Sequence, residues 1–491
     1  AVLSIYTLLA FHYPLFKTIV ENLEGGLNGV IITVGFAVLM LATNFMIYNL
    51  LLYLTRSVGK WIIAFTLVGD AIMLYFVNTY DVLVTDSMMG NVFNTKYSEA
   101  SGFFSVAAIV YILLLGVLPA AILLLQQIDY KSPKRFGVNT GIAIATMAAM
   151  VAININNFTW IDRHATKLGS LLMPWSYTVN SIRYYNAERK RNQKEIVLAD
   201  PTIKTDDKAV VVLIIGESAR KQNFSLYGYS KKTNPLLENQ SVTALNAESA
   251  ATYTTAGVKA ILDHKPTDKL YEILPNYLYR AGVDVIWRTA NWGEPPVHIE
   301  KYHKVADLKA LYPDADERYD GILTVGLKET IASSTADKIL IVLHTSTSHG
   351  PTYYAKYPAE FERFTPVCTT VEMAKAVPEE LINAYDNTIL YTDYLVNNVI
   401  ESLKQIESRN SCVIFISDHG ESLGENNLYM HGVPMAMAPR EQVEIPFIVW
   451  TSNNYKIKSI DTATQYHIFH STMDFLDIES EVYDSSLTIF E

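Results

Sequence analysis

The chain has 491 residues, which is long enough for two or more domains. Half of the residues are hydrophobic and 18% are charged, below the roughly 25% that is usual in soluble domains. A formal net charge of −11 argues against nucleic acid as a partner, because phosphate binding needs a basic surface. The two cysteines, Cys368 and Cys412, are too few for a disulfide framework.

The apolar residues are concentrated before about residue 158. Runs of the length that spans a bilayer, about 20 residues, predict five membrane spans, at residues 2–20, 29–54, 60–80, 102–127 and 138–158. Pro14 and Lys17 interrupt the first run. No signal-peptide cleavage pattern stands out, so we expect this run to remain as an anchor.

Charges in the short loops predict how these spans are oriented. Basic residues lie between the second and third runs and between the fourth and fifth: Arg56, Lys60, Lys131, Lys134 and Arg135. The other loops carry acids. The positive-inside rule therefore places the N-terminus in the cytoplasm, and five spans place the C-terminal half in the periplasm. The prediction is a multi-pass protein of the bacterial inner membrane.

Two polar features of the apolar half have competing interpretations. Asp70 lies inside the third predicted span, where a carboxylate is a functional candidate. We favour a structural acid bonded to a neighbour such as Asn44, because nothing else indicates ion transport. Asn91, Thr95 and Glu99 recur every four residues, which on a helix is one face. This face is predicted either to meet a lipid headgroup or to be solvated.

The back half has a different pattern. We divide the chain into a transmembrane domain (1–158), a polar connecting segment (159–208) and a catalytic domain (209–491). Strand-like runs in the last part are Ala209–Ile215, Val283–Trp287, Ile339–His344, Cys412–Ser417 and Ile445–Trp450. Helical patterns such as Leu270–Arg280 and Glu379–Glu407 lie between them. This alternation predicts an α/β domain with a mainly parallel sheet.

Metal-ligand residue types follow several of these strands: Glu217, His349, Asp418, His419 and His431. Each has an ordinary explanation by itself. Ligands gather outside the carboxyl ends of strands in open α/β sheets, so their joint placement predicts one site. Carboxylate and imidazole together suit zinc, which can polarise a phosphoryl oxygen or activate a nucleophile.

A group-transfer reaction also needs a nucleophile. Ser218 is adjacent to Glu217, and the segment 248–264 offers threonines that precede an apolar-periodic run. A helix N-terminus there would stabilise a phosphate, and zinc would acidify a coordinated hydroxyl. The competing interpretation is a plain helix cap. The pattern alone does not choose among Thr252, Thr254 and Thr255.

These motifs resemble the phosphoethanolamine transferases that modify lipid A and the lipopolysaccharide core. This family includes the mobile colistin-resistance enzymes and belongs to the alkaline phosphatase superfamily. The resemblance covers nearly the whole chain, in the segments IIGESARKQNFSLYGY (214–229), LHTSTSHGPTYY (343–354), INAYDNTILYTDY (382–394) and SDHGESLGENNLYMHGVPMAMAPREQ (417–442).

The resemblance implies an α-helical transmembrane domain followed by an alkaline-phosphatase or sulfatase-like α/β domain. It implies zinc ligands at Glu217, Asp418 and His419, and a covalent phosphoethanolamine on Thr252, whose hydroxyl would also meet the metal. Further residues would contact the transferred phosphate or a second zinc (His349 and His431) or the donor headgroup (Asn91, Thr95 and Glu99).

Two departures from the family pattern stand out. The family has cysteines two residues before the threonine and eight after it, where this chain has Ala250 and Ala260. This register nevertheless selects Thr252. Colistin-resistance members also carry a lysine beyond the strand that ends here near Trp287, and this chain has the segment Asn291–Pro295 there.

The predicted reaction moves phosphoethanolamine from phosphatidylethanolamine to lipid A or the lipopolysaccharide core, through a phosphothreonine. His349 or His431 would protonate the leaving oxygen. The product would carry less surface negative charge and bind cationic peptides less well. At least one tightly bound zinc ion and a monomer are expected. The alternatives are a phosphoglycerol transferase, a phosphodiesterase, or a membrane scaffold without activity. A sulfatase is disfavoured, because neither cysteine lies in a C-x-P-x-R segment.

Overall fold

The computed structural model describes the chain apart from residues 24–26, 96–102, 104, 129–131, 158–159, 162–163, 192–193, 371–372, 374–375 and 454. Contacts divide the chain into two compact units, residues 1–186 and 187–491. The predicted connecting segment, 159–208, is shared between them.

The first unit is helical. Its α-helices are α1 (Val2–Phe11), α2 (Tyr13–Glu21), α3 (Leu27–Thr55), α4 (Ser57–Tyr80), α5 (Asp86–Asn94), α6 (Val106–Tyr111), α7 (Leu118–Leu125), α8 (Pro133–Ile153), α9 (Ala165–Leu171) and α10 (Trp175–Arg191). The last of these continues into the second unit. A π-helix, Ile112–Val117, joins α6 to α7.

Four stretches of the described residues are long and apolar enough to cross a membrane: Asn28–Thr55, Ser57–Tyr80, Val106–Leu125 and Pro133–Ile153. They correspond to the last four predicted spans. The first predicted span is a pair of helices, α1 and α2, that meet at 59°. Pro14 lies in the first turn of α2, where its missing N–H costs nothing. The unit therefore has four such helices, or five spans if the bent pair is counted as one.

Asp70 is fully buried within α4. The predicted partner, Asn44, is bonded elsewhere: its amide donates to Thr7 Oγ1 (3.3 Å), and its oxygen accepts from Trp175 Nε1 (3.1 Å). The prediction of an Asp70–Asn44 hydrogen bond is therefore wrong.

The second unit is built on a sheet of eight strands: β2 (Ala209–Gly216), β3 (Thr243–Glu248), β4 (Asp284–Thr289), β5 (Lys301–Lys304), β6 (Lys338–His344), β7 (Asn410–Ser417), β10 (Glu444–Thr451) and β11 (Ala463–Thr464). Their order across the sheet is β11-β3-β10-β7-β2-β6-β4-β5. Short strands outside it are β1 (Thr202–Ile203), β8 (Ser422–Leu423), β9 (Tyr429–Met430) and β12 (Ile478–Glu479). Strand β10 is antiparallel to both neighbours, and the other pairs in the large sheet are parallel.

The α-helices of this unit are α11 (Thr254–Leu262), α12 (Leu274–Arg280), α13 (Val305–Leu311), α14 (Leu327–Ser333), α15 (Pro378–Lys404), α16 (Arg440–Val443) and α17 (His467–Phe475). All five predicted strands are present. Strand β2 is buried on both faces, as expected for a central parallel strand. The predicted helix Leu270–Arg280 begins only at Leu274, because Pro275 belongs in a first turn.

Candidate active site and metal centre

The sheet itself brings two acids together. Strands β2 and β7 are parallel neighbours, and Gly216 is the register partner of Ser417. The next residues along the chain are Glu217 and Asp418, so both carboxylates leave the sheet at the same edge. Ligand atoms of Glu217, Asp418 and His419 lie within 4.8 Å of one another, and all three residues are buried.

Local hydrogen bonds orient the side chains of Asp418 and His419 toward the cluster of ligand atoms. Asp418 Oδ1 accepts the backbone N–H groups of Ser218 (3.0 Å) and His419 (2.7 Å). Asp418 Oδ2 is buried and has no hydrogen-bond partner among the described residues. His419 Nδ1 lies 2.8 Å from the carbonyl oxygen of Gly420, so it is assigned the proton and Nε2 carries the lone pair. Nε2 is 3.4 Å from Asp418 Oδ2 and 3.5 Å from Glu217 Oε1.

A threonine hydroxyl completes the cluster. Thr254 Oγ1 is 3.4 Å from Glu217 Oε2 and 3.4 Å from His419 Nε2. Thr254 is the first residue of α11, so the free backbone N–H groups and the positive end of the helix dipole lie beside its hydroxyl. That environment favours an anion such as a phosphate.

Thr252, the threonine that the family register selects, makes different contacts. Its hydroxyl donates to the carbonyl oxygen of Val433 at 2.7 Å, and its own carbonyl accepts the N–H of Gly432 at 2.8 Å. Both groups tie the loop before α11 to the segment after His431. The predicted contact of the Thr252 hydroxyl with the ligand cluster is therefore wrong, and Thr254 is the threonine whose hydroxyl meets the cluster.

A second group of ligand types adjoins the first. Atoms of His419, Glu421 and His431 also lie within 4.8 Å of one another. Glu421 Oε2 is 2.7 Å from His431 Nδ1, and Glu421 Oε1 accepts the hydroxyl of Tyr353. The ring of His431 lies 4.2 Å from that of His419 and 5.7 Å from that of His349. Both histidines predicted to face the phosphate are thus brought to the site.

The charges of the site are strongly coupled. Burial raises the pKa of Glu217, but His349, His419 and His431 outweigh burial and bring it well below its usual range. Burial and the neighbouring charge of Glu217 raise the pKa of Asp418 well above its usual range. Two carboxylates in a dry site repel one another, so a bound cation would stabilise both in the ionised form.

Close packing holds α11 against the metal-binding turn. A Cβ on Gly257, in the first turn of α11, would lie 2.2 Å from the carbonyl oxygen of Asp418, so only glycine allows this approach. Asn291, in the segment that departs from the family pattern, donates to Glu217 Oε2 at 2.6 Å and to the carbonyl oxygen of Thr345 at 2.8 Å. Both contacts orient the groups around Thr254.

Gln465 connects the threonine loop with the metal-binding turn. Its side chain is fully buried. The Nε2 group donates to the carbonyl oxygens of Ser417 (3.0 Å) and Asp418 (2.7 Å), and Oε1 accepts the N–H of Ala250 at 2.9 Å. One amide thus holds both loops at a fixed separation.

We predict that Gln465→Leu lowers kcat by about 10- to 100-fold, because a shift of about 1 Å at the reacting groups has an effect of this order. The KM for the donor should stay within about threefold, since Gln465 does not reach the site. Unfolding stability should fall by about 1–3 kcal/mol from the unsatisfied buried groups. The matched control is Asn276→Leu, a buried amide that binds the Pro296 carbonyl and the His298 N–H away from the site. Equal kcat losses in the two variants would exclude a positioning role.

The residues predicted to bind the donor headgroup lie in the first unit. Asn91 is in α5, which ends at Asn94, and Thr95 is its C-cap. Thr95 Oγ1 donates to the carbonyl oxygen of Asn91 at 2.6 Å. The helical spacing therefore does not run on through Thr95, and Glu99 lies outside the described residues. Their role in binding stays a prediction.

Four residues were not assigned from the sequence: three of the site, Asn291, Tyr353 and Glu421, and one that holds its loops together, Gln465. Glu421 lies three residues after Asp418 in the segment 417–442, so its closeness to the predicted ligands could have marked it as a candidate. Gln465 lies 47 residues after Asp418, and no local pattern marks it. Cys368 and Cys412 are both buried and free.

Comparison with known proteins agrees with this architecture. A family described as Sulfatase matches residues 209–478, and one described as Phosphoethanolamine transferase EptA/EptB matches residues 39–189. The phosphoethanolamine transferase EptA of Helicobacter pylori is 37% identical, with 98% of this chain and 94% of that protein covered. The phosphatidylethanolamine transferase Mcr-1 of Escherichia coli is 30% identical, with 83% and 81% covered.

The solved structure of an integral membrane lipooligosaccharide phosphoethanolamine transferase A from Neisseria meningitidis is similar over the full length. Its TM-score is 0.90 at 26% identity, with 99% of this chain and 97% of that chain covered. The helical unit and the α/β unit therefore recur together in a known membrane enzyme. The chain belongs to the phosphoethanolamine transferases of the alkaline phosphatase superfamily and is a multi-pass enzyme of the bacterial inner membrane.

Proposed function

We propose that this enzyme transfers phosphoethanolamine from phosphatidylethanolamine to lipid A or the lipopolysaccharide core, by way of a covalent intermediate on Thr254. The observation that carries the proposal is the convergence of the Thr254 hydroxyl with Glu217, Asp418 and His419 at the end of the sheet. The names of the relatives indicate that phosphoethanolamine is the transferred group. One relative in Escherichia coli is named a Kdo(2)-lipid A phosphoethanolamine 7''-transferase.

The residues present fit a zinc ion. Glu217, Thr254, Asp418 and His419 offer three oxygens and one imidazole nitrogen, a set that suits tetrahedral zinc. Asp418 Oδ2 is buried and without a hydrogen-bond partner among the described residues, as expected of an oxygen reserved for a cation. Zinc bound there would lower the pKa of the Thr254 hydroxyl, so that its proton is lost to solvent, and would polarise the phosphoryl group of the donor.

One tightly bound ion is the simplest occupancy. The two ligand clusters share His419, and His419 has a single nitrogen available because Nδ1 faces the Gly420 carbonyl. An ion held by Glu217, Asp418 and His419 leaves His431 facing the transferred phosphate, with Glu421 bonded to its Nδ1.

In the first step, Thr254 Oγ1 attacks the phosphorus of the donor. The bond from oxygen to phosphorus forms, the bond from phosphorus to the diacylglycerol oxygen breaks, and His431 or His349 gives that oxygen a proton. The N–H groups at the start of α11 face the charge that develops on the phosphate. Diacylglycerol leaves, and phosphoethanolamine remains on Thr254.

In the second step, an oxygen of a lipid A phosphate or of a sugar hydroxyl attacks the same phosphorus. The bond to Thr254 Oγ1 breaks, Thr254 regains a proton, and the histidine that gave up its proton is recharged from the acceptor hydroxyl or from solvent. The added ethanolamine is cationic, so it lowers the negative charge of the outer surface and weakens the binding of cationic peptides.

Mass spectrometry of lipid A and core oligosaccharide tests this function. Cells that lack related transferases should gain phosphoethanolamine-modified species when they express the full chain, and should lose susceptibility to polymyxin. Cells that express Thr254→Ala at the same level should gain none. Unmodified lipopolysaccharide in cells with folded, membrane-inserted wild-type protein would contradict the proposed function.

A further inference from the structure

An uncharged, apolar loop leaves the active site immediately after His431. Its sequence, residues 433–439, is VPMAMAP. Met435 and Met437 are each 46% exposed, and Ala436 between them is also exposed. Loops on a soluble surface are usually polar, so an exposed apolar stretch next to a reactive site is a candidate interaction surface. We call residues 433–439 the methionine loop.

The methionine loop is held firmly at its base. Val433 N donates to Gln442 Oε1 at 3.1 Å, and Gln442 is fully buried. Val433 O accepts the Thr252 hydroxyl at 2.7 Å. The tip is one turn of 3-10 helix, Met435–Met437, in which Met437 N donates to Pro434 O at 2.8 Å. The exposed methionines are therefore presented by an ordered loop.

The loop is also bonded to the segment that carries the nucleophile. Thr252 contacts the loop through Val433 and is two residues before Thr254, and His431 is two residues before Val433. The methionine loop is therefore linked to the reacting hydroxyl through Thr252 and Val433. An apolar group attached to the substrate would therefore be the nearest surface for the loop to contact.

We propose that the methionine loop contacts the acyl chains of the lipid substrate at the bilayer surface and so recruits the donor to Thr254. This inference rests on the proposed function, since the donor must be a lipid. Three features favour lipid over a protein partner. The chain is already anchored by apolar helices, the loop offers no charge for partner recognition, and methionine side chains are flexible enough to fit disordered chains.

Reconstitution of the full chain in phosphatidylethanolamine vesicles tests the loop. We expect Met435→Glu with Met437→Glu to lower diacylglycerol release from bilayer phosphatidylethanolamine by about tenfold or more, because carboxylates must then be desolvated on contact. Release of glycerol from glycerophosphoethanolamine, which has the same headgroup and no acyl chains, should stay within about twofold of the wild-type rate. The matched control is Leu311→Glu with Val377→Glu, two exposed apolar positions on other elements. Equal lipid turnover in all three proteins would overturn the inference.

Fluorescence gives a readout that does not need turnover. Tryptophan introduced as Met437→Trp should be quenched by brominated phospholipid, and Leu311→Trp should not, after subtraction of the native tryptophan signal. Quenching with no transfer in the wild type would leave the loop contact standing and refute the proposed function. Quenching of Met437→Trp that is no stronger than that of Leu311→Trp would refute the lipid contact. Cross-linking of two copies of the chain through Met437→Cys, together with that absence of quenching, would show that the loop contacts a second copy instead.

Discussion

Thr254→Ala is expected to abolish transfer, whereas Thr252→Ala is expected to leave much of it. Removal of an attacking oxygen costs at least about 10³-fold in kcat in enzymes that work by covalent catalysis. The hydroxyl of Thr254 is the one that meets Glu217 and His419, each at 3.4 Å. Steady-state release of diacylglycerol from phosphatidylethanolamine by the purified full chain measures the effect.

Thr252→Ala is the matched control. It removes the same atoms two residues away and breaks only the hydrogen bond to Val433. The cost should be about 1 kcal/mol of local stability and no more than about tenfold in kcat, through a looser loop. A reversed order, with Thr252→Ala inactive and Thr254→Ala active, would contradict the geometry of the site.

Asp418→Asn is expected to have the second large effect, on zinc content and on kcat. Asp418→Asn keeps the shape of the side chain and removes the charge that an ion needs on Oδ2. We expect zinc in the purified protein to fall from about one equivalent to near zero, and kcat to fall by at least about 10³-fold, since the Lewis acid is worth several kcal/mol. Dialysis against a chelator should have the same effect on the wild type, reversed by zinc.

Asp393→Asn is the control for loss of a buried acid. Asp393 is fully buried in α15 and accepts the N–H groups of Leu236 (2.9 Å) and Leu237 (3.0 Å), away from the metal cluster. This variant should lose stability and keep its zinc. A zinc content that is equal in Asp418→Asn and the wild type would remove Asp418 from the metal centre.

Much of the fold was predictable because its signals are local. The length of an apolar run distinguishes a buried strand such as β2 from a membrane-spanning helix such as α3. Strands β3, β5 and β11 were missed because they lie toward the edges of the sheet and mix polar with apolar residues, and β5 and β11 are also short. Their pairing comes from the neighbouring strand and not from their own composition.

Some residues of the candidate site were also predictable from local signals, and others depend on tertiary contacts. Glu217, Asp418 and His419 follow strand ends, and parallel register alone brings them together. The choice between Thr252 and Thr254 depends on contacts across the fold: the carbonyl of Val433 takes up the first hydroxyl, and the approach of Gly257 to Asp418 places the second. Neither contact leaves a pattern in the segment 248–264. Spacing therefore indicated the loop, and tertiary structure indicates the residue.

We propose that one hydroxyl, that of Thr254, carries phosphoethanolamine between the two lipids. Rapid mixing with phosphatidylethanolamine in the absence of an acceptor, followed by acid quench and peptide mass spectrometry, tests it most directly. We predict a single phosphoethanolamine adduct whose fragment ions place it on Thr254. An adduct on Thr252, Thr255 or Ser218 would exclude Thr254 as the carrier. Diacylglycerol release in step with transfer, with no adduct at any time point, would exclude a covalent intermediate.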